Sequence, residues 1–170
     1  MIYAGIGARV IPKDINDDFE DIALTLARLN YTLRSGGATG ADSAFEKGCD
    51  FGNGKKEIWY PWLKYKEICP YILESVIPEP VLVIARSIYD RWDSSTDIVQ
   101  RLHARNVYQI LGHNLATPVD FVVCWTDKPD TDTGGTQFGL HLAHCYGIKT
   151  YNFNKFVEKE LFRKFMRILV

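Results

Sequence analysis

Three short glycine-bearing segments constrain this chain more than any other feature, because each lies between a strand-forming run and a helical pattern. They are Gly5-Ile6-Gly7-Ala8-Arg9, the stretch Ser35-Gly36-Gly37-Ala38-Thr39-Gly40-Ala41-Asp42, and Thr133-Gly134-Gly135-Thr136. Ile2 to Gly7 reads as a buried strand entering a tight loop, and Pro12, Lys13 and Asp14 then open a helix. In that helix Phe19, Ile22, Ala23, Leu26 and Leu29 recur at three- and four-residue spacing, and Asn30 closes it. Tyr31-Thr32-Leu33-Arg34 is the next strand, followed by a helix that starts near Gly40 and carries Ala44, Phe45 and Cys49 on one side. Lys56 to Tyr60 is a third strand, ending at Pro61. Strand, helix, strand, helix, strand within about sixty residues is the alternation of a parallel sheet wound with helices.

The pattern is weaker from Pro61 to Thr117. This stretch holds three prolines between residues 70 and 80, the apolar run Val81 to Ala85, and helical spacing over Ser94–His103 and again over Val107–Leu111. The sheet resumes at Val119 to Trp125. A polar loop, Thr126 to Thr133, precedes a helix that opens at Gly134-Gly135-Thr136, runs through Cys145 and is ended by Gly147. Ile148 to Asn152 is the last strand, and a C-terminal helix follows. At 170 residues and 46% apolar content the expectation is one α/β domain over residues 1–170. Its architecture is a three-layer Rossmann-like fold with a mainly parallel sheet flanked by helices.

In an open parallel sheet, loops leaving the C-terminal strand ends share one rim. A glycine loop running into a helix offers bare backbone N–H groups and the positive end of the helix dipole, which suits a phosphate. The candidate ligand-binding positions are therefore Gly7, Ala8 and Arg9, then Ser35, Gly36, Gly37, Thr39, Gly40 and Asp42, then Thr133, Gly134, Gly135 and Thr136. Asp42 serves either as a helix-capping carboxylate or as a ligand to ribose hydroxyls or a bound metal, and Thr126 offers a hydroxyl at the end of its strand. The loops lack the G-x-x-x-x-G-K-[ST] spacing of a P-loop. They also fail the dinucleotide fingerprint G-x-G-x-x-G, since Val10 stands at its third glycine.

Together these loops resemble the SLOG superfamily, which includes the Rossmann domain of the DNA-processing protein DprA, molybdenum-cofactor carriers and the LOG-type nucleotide phosphoribohydrolases. The pattern is closest to compact DprA-like proteins of phages and spans roughly residues 2 to 152. The resemblance implies nucleotide or phosphate binding in the glycine loops. It also sets Arg105 against a phosphate and Asn106 against a base or sugar; the competing reading is a polar helix face with His103 partly buried. LOG-type hydrolases carry P-G-G-x-G-T-x-x-E, whereas this chain has Thr133-Gly134-Gly135-Thr136-Gln137-Phe138-Gly139-Leu140, without the leading Pro or the Glu. The carboxylate of the glycosidic chemistry is thus absent from its expected place. A small-molecule nucleotide binder with a carrier, sensor or sequestering role is the first expectation, and its only cofactor would be that nucleotide. The alternatives are a nucleotide N-glycosidase using Asp42, Asp93 or Asp127, and a DprA-like single-stranded DNA binder.

Charge bears on the last. Twenty Lys and Arg against twenty-one Asp and Glu leave a formal charge of −1, so a polyanion would need a local cluster such as Arg9, Arg34, Arg101 and Arg105. Trp59, Trp62 and Trp92 read as core or interface residues, one of them able to stack a base. His141 and His144 lack a third ligand, so no metal is expected. Cys49, Cys69, Cys124 and Cys145 form no CxxC pair and read as reduced, mostly buried thiols. With no bilayer-length apolar run and no basic, apolar leader at Met1, the expected place is the cytoplasm, without a membrane partner. The aromatic-rich middle and the C-terminal helix suggest a homodimer.

Overall fold

A computed structural model describes residues 1–62, 73, 76–128 and 134–169. Two sequence-predicted positions, Cys69 and Thr133, lie outside the described residues. The elements run β1 (Ile2–Gly7), α1 (Lys13–Arg28), β2 (Thr32–Ser35), α2 (Ala41–Phe51), β3 (Lys55–Ile58), α3 (Glu79–Ile88), α4 (Asp97–Leu111), β4 (Phe121–Trp125), α5 (Gly135–Cys145), β5 (Lys149–Asn152) and α6 (Phe156–Leu169), with one 3-10 turn at Trp92–Ser94. The five strands form one sheet in the order β3-β2-β1-β4-β5, parallel at every pairing. The protein has the expected three-layer α/β, Rossmann-like arrangement.

Alternation along the strands explains the layers, because successive side chains leave opposite faces of a sheet. Ala4, Ile6, Val122 and Cys124 face one way, onto buried residues of α3, α4 and α5 such as Val81, Val107, Ile110 and Leu142. Tyr3, Leu33, Phe121, Val123 and Trp125 face the other way, onto Phe19, Leu26, Phe45 and Phe162 of α1, α2 and α6. Both faces are covered, so β1 and β4 are apolar throughout, as parallel strands generally are. No helix among the described residues is long and apolar enough to cross a membrane.

The helix ends follow local chemistry. Asn30 adopts a left-handed φ of 62° just past α1, ending that helix where the sequence predicts. The middle of the chain departs from expectation. Asp97–Leu111 is one unbroken helix rather than two: it contains neither Gly nor Pro, Thr96 caps its start through a 3.4 Å bond from the Val99 N–H, and Gly112 at φ 79° ends it. The Val81–Ala85 run, which the pattern leaves unassigned, is the centre of α3, started at Pro78. The two outer strands, β3 and β5, are four residues long and each begins at an exposed lysine, Lys55 and Lys149.

Helices α1 and α2 cross where Gly48 stands, and a β-carbon there would collide with the Glu20 carbonyl and crowd Ala23. Gly48→Ala is expected to destabilise the fold by about 1–3 kcal/mol, the usual range for forced overpacking. A urea melt checks it, as a lowered midpoint with an unchanged slope.

Candidate functional site

The strand order reverses between β1 and β4. From β1 the chain builds outward through β2 and β3, then returns to the other side of β1 with β4 and β5. Beyond the C-terminal strand ends, such a switch point leaves a crevice. Here it has a volume of about 420 Å³. Its walls are Ile6 to Arg9 after β1; Gly36, Ala38 and Asp42 around the start of α2; Leu102, Arg105, Asn106 and Gln109 along α4; Thr126 to Lys128 after β4; and Gly134 to Gln137 at the start of α5. Pro61 closes one side.

Glycine lets the backbones approach this closely. A β-carbon on Gly7 would lie 2.6 Å from the Ala41 β-carbon and 2.7 Å from the Trp125 carbonyl oxygen. The chain after Gly7 is bonded on both sides, the Ala8 N–H donating to the Trp125 carbonyl at 3.0 Å and the Ala8 carbonyl accepting from the Ala41 N–H at 3.1 Å. Gly36 does more, since a β-carbon there would fall on the Arg105 guanidinium. The bare α-carbon of residue 36 is the seat of that cation.

Arg105 is buried, with its Nη1 donating to the Trp59 carbonyl at 3.4 Å and standing 4.0 Å from Asp42 Oδ2. Asp42, in the first turn of α2, is only 4% exposed yet lines the crevice. Its Oδ2 accepts from the Ala38 N–H at 3.3 Å. Burial pushes the carboxyl up to about 6, against the opposing pull of Arg105 and of backbone N–H bonds from Ala38, Gly36 and Gly7. A carboxyl shifted this far inside a concave site makes Asp42 a candidate functional group.

The opposite wall differs in character. Gly134, at φ 101°, is the N-cap of α5 and brings no side chain of its own to the helix amides, and a β-carbon on it would meet nothing within 4 Å. Asn106 Nδ2 donates to the Gly135 carbonyl at 2.8 Å, so α4 fixes where α5 begins. Gln137 Nε2 donates to the Lys128 carbonyl at 3.1 Å. Thr126 Oγ1 accepts from Asn152 Nδ2 at 2.7 Å, which ties β4 to β5 and leaves the hydroxyl proton available.

The structure brings together Gly7, Ala8, Arg9, Gly36, Asp42, Arg105, Asn106, Thr126, Gly134, Gly135 and Thr136, with Asp127 exposed at the rim. Other residues singled out in the sequence lie elsewhere. Ser35 is fully buried and its hydroxyl donates to the Gly5 carbonyl at 2.6 Å, holding two strand ends together. Gly37, at φ 62°, faces the ring of Tyr60, and Gly40, at φ 79°, packs under the Ala8-Arg9 backbone. Thr39 is exposed, and neither it nor the two glycines lines the crevice. Asp93 is away from the crevice on the surface, 3.1 Å from Arg86. The arginine cluster that a polyanion would need does not form, because Arg34 is buried against Glu57 at 2.5 Å and Arg101 holds the Pro61 carbonyl at 2.9 Å. Trp59 stacks on Tyr108 in the core, and Trp92 is buried too. His103 is buried between Tyr89 and Phe138, where desolvation lowers it to about 4. Cys49 and Cys124 are buried thiols but Cys145 is exposed.

Sequence reasoning missed Ile6, Ala38, Pro61, Leu102, Lys128 and Gln137 as lining residues. The 102, 105, 106, 109 spacing is one face of a helix, and it becomes readable once α4 is taken as continuous. Comparisons with protein-family models, curated proteins and solved structures find no match, so the reading of the site rests on its own chemistry.

Because the Asp42 carboxyl titrates near 6 when folded and near 3.8 when unfolded, the folded chain holds the extra proton between those values. Its contribution therefore favours folding at low pH and is lost as pH rises through about 6. The displacement is about two pH units, or about 3 kcal/mol. Asp42→Asn is expected to gain stability over the parent chain between pH 4 and pH 7, by up to that amount. Denaturant melts of both at pH 4, 5 and 7 measure it; a gap that stays constant with pH refutes the assignment.

Proposed function

We propose that this protein binds a nucleotide in the crevice, with its phosphate against the start of α5 and its sugar and base over β1 toward α4. The observation that carries this reading is convergence: the turns after β1, β2 and β4 and the Arg105-Asn106 face of α4 line one cavity of about 420 Å³. That volume lies in the range of small-molecule sites. The amides of Gly135 and Thr136 open the 11-residue helix α5 behind a glycine N-cap, so an anion there meets backbone donors and the positive end of the helix dipole. Arg9 and Lys128 stand on the same walls and supply counter-charge. The resemblance to SLOG domains agrees with this reading, as does the absence, among the described residues, of a continuous arginine track for a polymer. A role as carrier, sensor or sequestering protein requires no more than binding.

A second reading is favoured by one feature, the buried Asp42 carboxyl inside the same crevice. In a nucleotide N-glycosidase it would stabilise the oxocarbenium-like transition state. Incubation with nucleoside 5′-monophosphates followed by chromatography decides between the two: release of free base supports the enzyme, and intact nucleotide supports the binder.

Thr136→Asp places a carboxylate in the first turn of α5, where it favours the helix and repels phosphate. Calorimetry is expected to show at least a tenfold loss of nucleotide affinity in this variant, with a melting temperature equal to or above that of the parent. Unchanged affinity would remove phosphate from that end of the site. Binding to single-stranded DNA, if it occurred, would weaken steeply between low and high salt, whereas a mononucleotide is expected to lose far less.

A further inference from the structure

Helix α6 is apolar on two sides. Phe162, with Phe165, Met166 and Leu169, packs inward against the sheet, as the buried stripe of a surface helix does. The outer side of such a helix is ordinarily polar. Here it carries Val157, Leu161 and Ile168, which are 67%, 44% and 85% exposed. Together with exposed Lys164 they are spaced four, three and four residues apart, the interval of a coiled-coil seam. Other exposed large apolar residues, such as Val10, Phe51 and Val83, stand singly on separate segments, which is ordinary for a surface.

The charges beside the seam indicate what covers it. Both acids of α6, Glu158 and Glu160, precede Arg163, Lys164 and Arg167, while Lys159 is engaged by Asp18 at 2.6 Å. Glu160 and Arg167 lie one heptad apart on the same flank of the seam and are opposite in sign. Two parallel copies of this helix would set Lys164 against Lys164. Two antiparallel copies instead set Val157 against Ile168 and lay the Lys164 stem beside Leu161. The Lys164 and Arg167 head groups of each copy then reach Glu160 of the other. Glu160 already pairs with Arg163 at 2.8 Å on the surface, and exchanging one exposed partner for another costs little.

We propose that α6 is a self-docking surface, through which two copies of this chain pair by antiparallel α6 helices about a twofold axis between Leu161 and Lys164. The contact is isologous and closed. A 14-residue helix is about 21 Å long, so the interface is small and the dimer forms only at high concentration. Asn154, just ahead of α6, donates to the carbonyls of Thr126 at 2.7 Å and Asp127 at 3.2 Å, so this end of α6 lies at the rim of the crevice. Antiparallel pairing therefore leaves the two crevices open at opposite ends of the dimer, and the proposal stands apart from what they bind.

Sedimentation velocity on the full chain tests it, with an expected monomer–dimer equilibrium whose Kd lies between about 10 μM and 1 mM. Val157→Ser combined with Ile168→Ser alters only exposed positions and is expected to weaken the dimer at least about tenfold. Glu160→Arg and Arg167→Glu are each expected to weaken it at least about fivefold by opposing like charges, and the two together to restore it. Circular dichroism verifies that every variant keeps its helix content. A chain that stays monomeric to 1 mM, or a dimer that survives the double serine variant, would overturn the proposal. So would failure of the charge swap to restore pairing, which would exclude the antiparallel register. A monomer that instead sediments with phosphatidylserine vesicles through Val157 and Ile168 would give the stripe to a membrane surface and overturn it as well.

Discussion

A missing side chain at residue 36 allows a guanidinium and a carboxylate to be buried side by side at the mouth of the sheet. Arg105 reaches in from α4, Asp42 from the first turn of α2, and the two stand 4.0 Å apart because a bare α-carbon at Gly36 leaves room for the guanidinium. Elements from opposite faces of the sheet thereby meet above its edge. α2 belongs with Phe19 and Phe45 on one face, while α4 belongs with Val107 and Ile110 on the other. The polar pair is the place where the two halves of the molecule address the same space.

That arrangement opposes stability. Burial holds the Asp42 carboxyl near 6 despite its donors and its cation, and His103, packed between Tyr89 and Phe138, is held near 4. Folding a chain around such groups wastes free energy that apolar residues of similar size would have contributed. Proteins tolerate that loss chiefly where a site needs it. The surrounding structure compensates with rigidity: the Ser35 hydroxyl on the Gly5 carbonyl, Asn106 on Gly135 and Asn152 on Thr126 each lock one wall to another. A preorganised crevice loses little freedom when a ligand enters it.

Much of this was legible from the chain alone, for identifiable reasons. The strand–glycine–helix alternation follows from local pattern, and Gly7 and Asp42 fall where the winding of a parallel sheet must put them. The roles of individual loop residues did not follow. Ser35, Gly37 and Gly40 share composition with their neighbours, but their tasks depend on what lies across from them: the Gly5 carbonyl, the Tyr60 ring and the Ala8-Arg9 backbone. Asp93 looks like any other acidic candidate until its surface pairing with Arg86 is seen. The α4 face was readable only in part, since a helix thought to break after His103 hides the periodicity that joins Leu102 to Gln109. Close backbone contact and cross-element packing are properties of three dimensions, and composition records them weakly.

The outer strands carry a consequence for assembly. Short edges that begin with lysines resist lengthening of a sheet by a neighbouring molecule, because an incoming strand would find few amides in line and a charge at the start of the row. Copies of this chain that gather at high concentration are thus steered away from filaments of continuous β-structure.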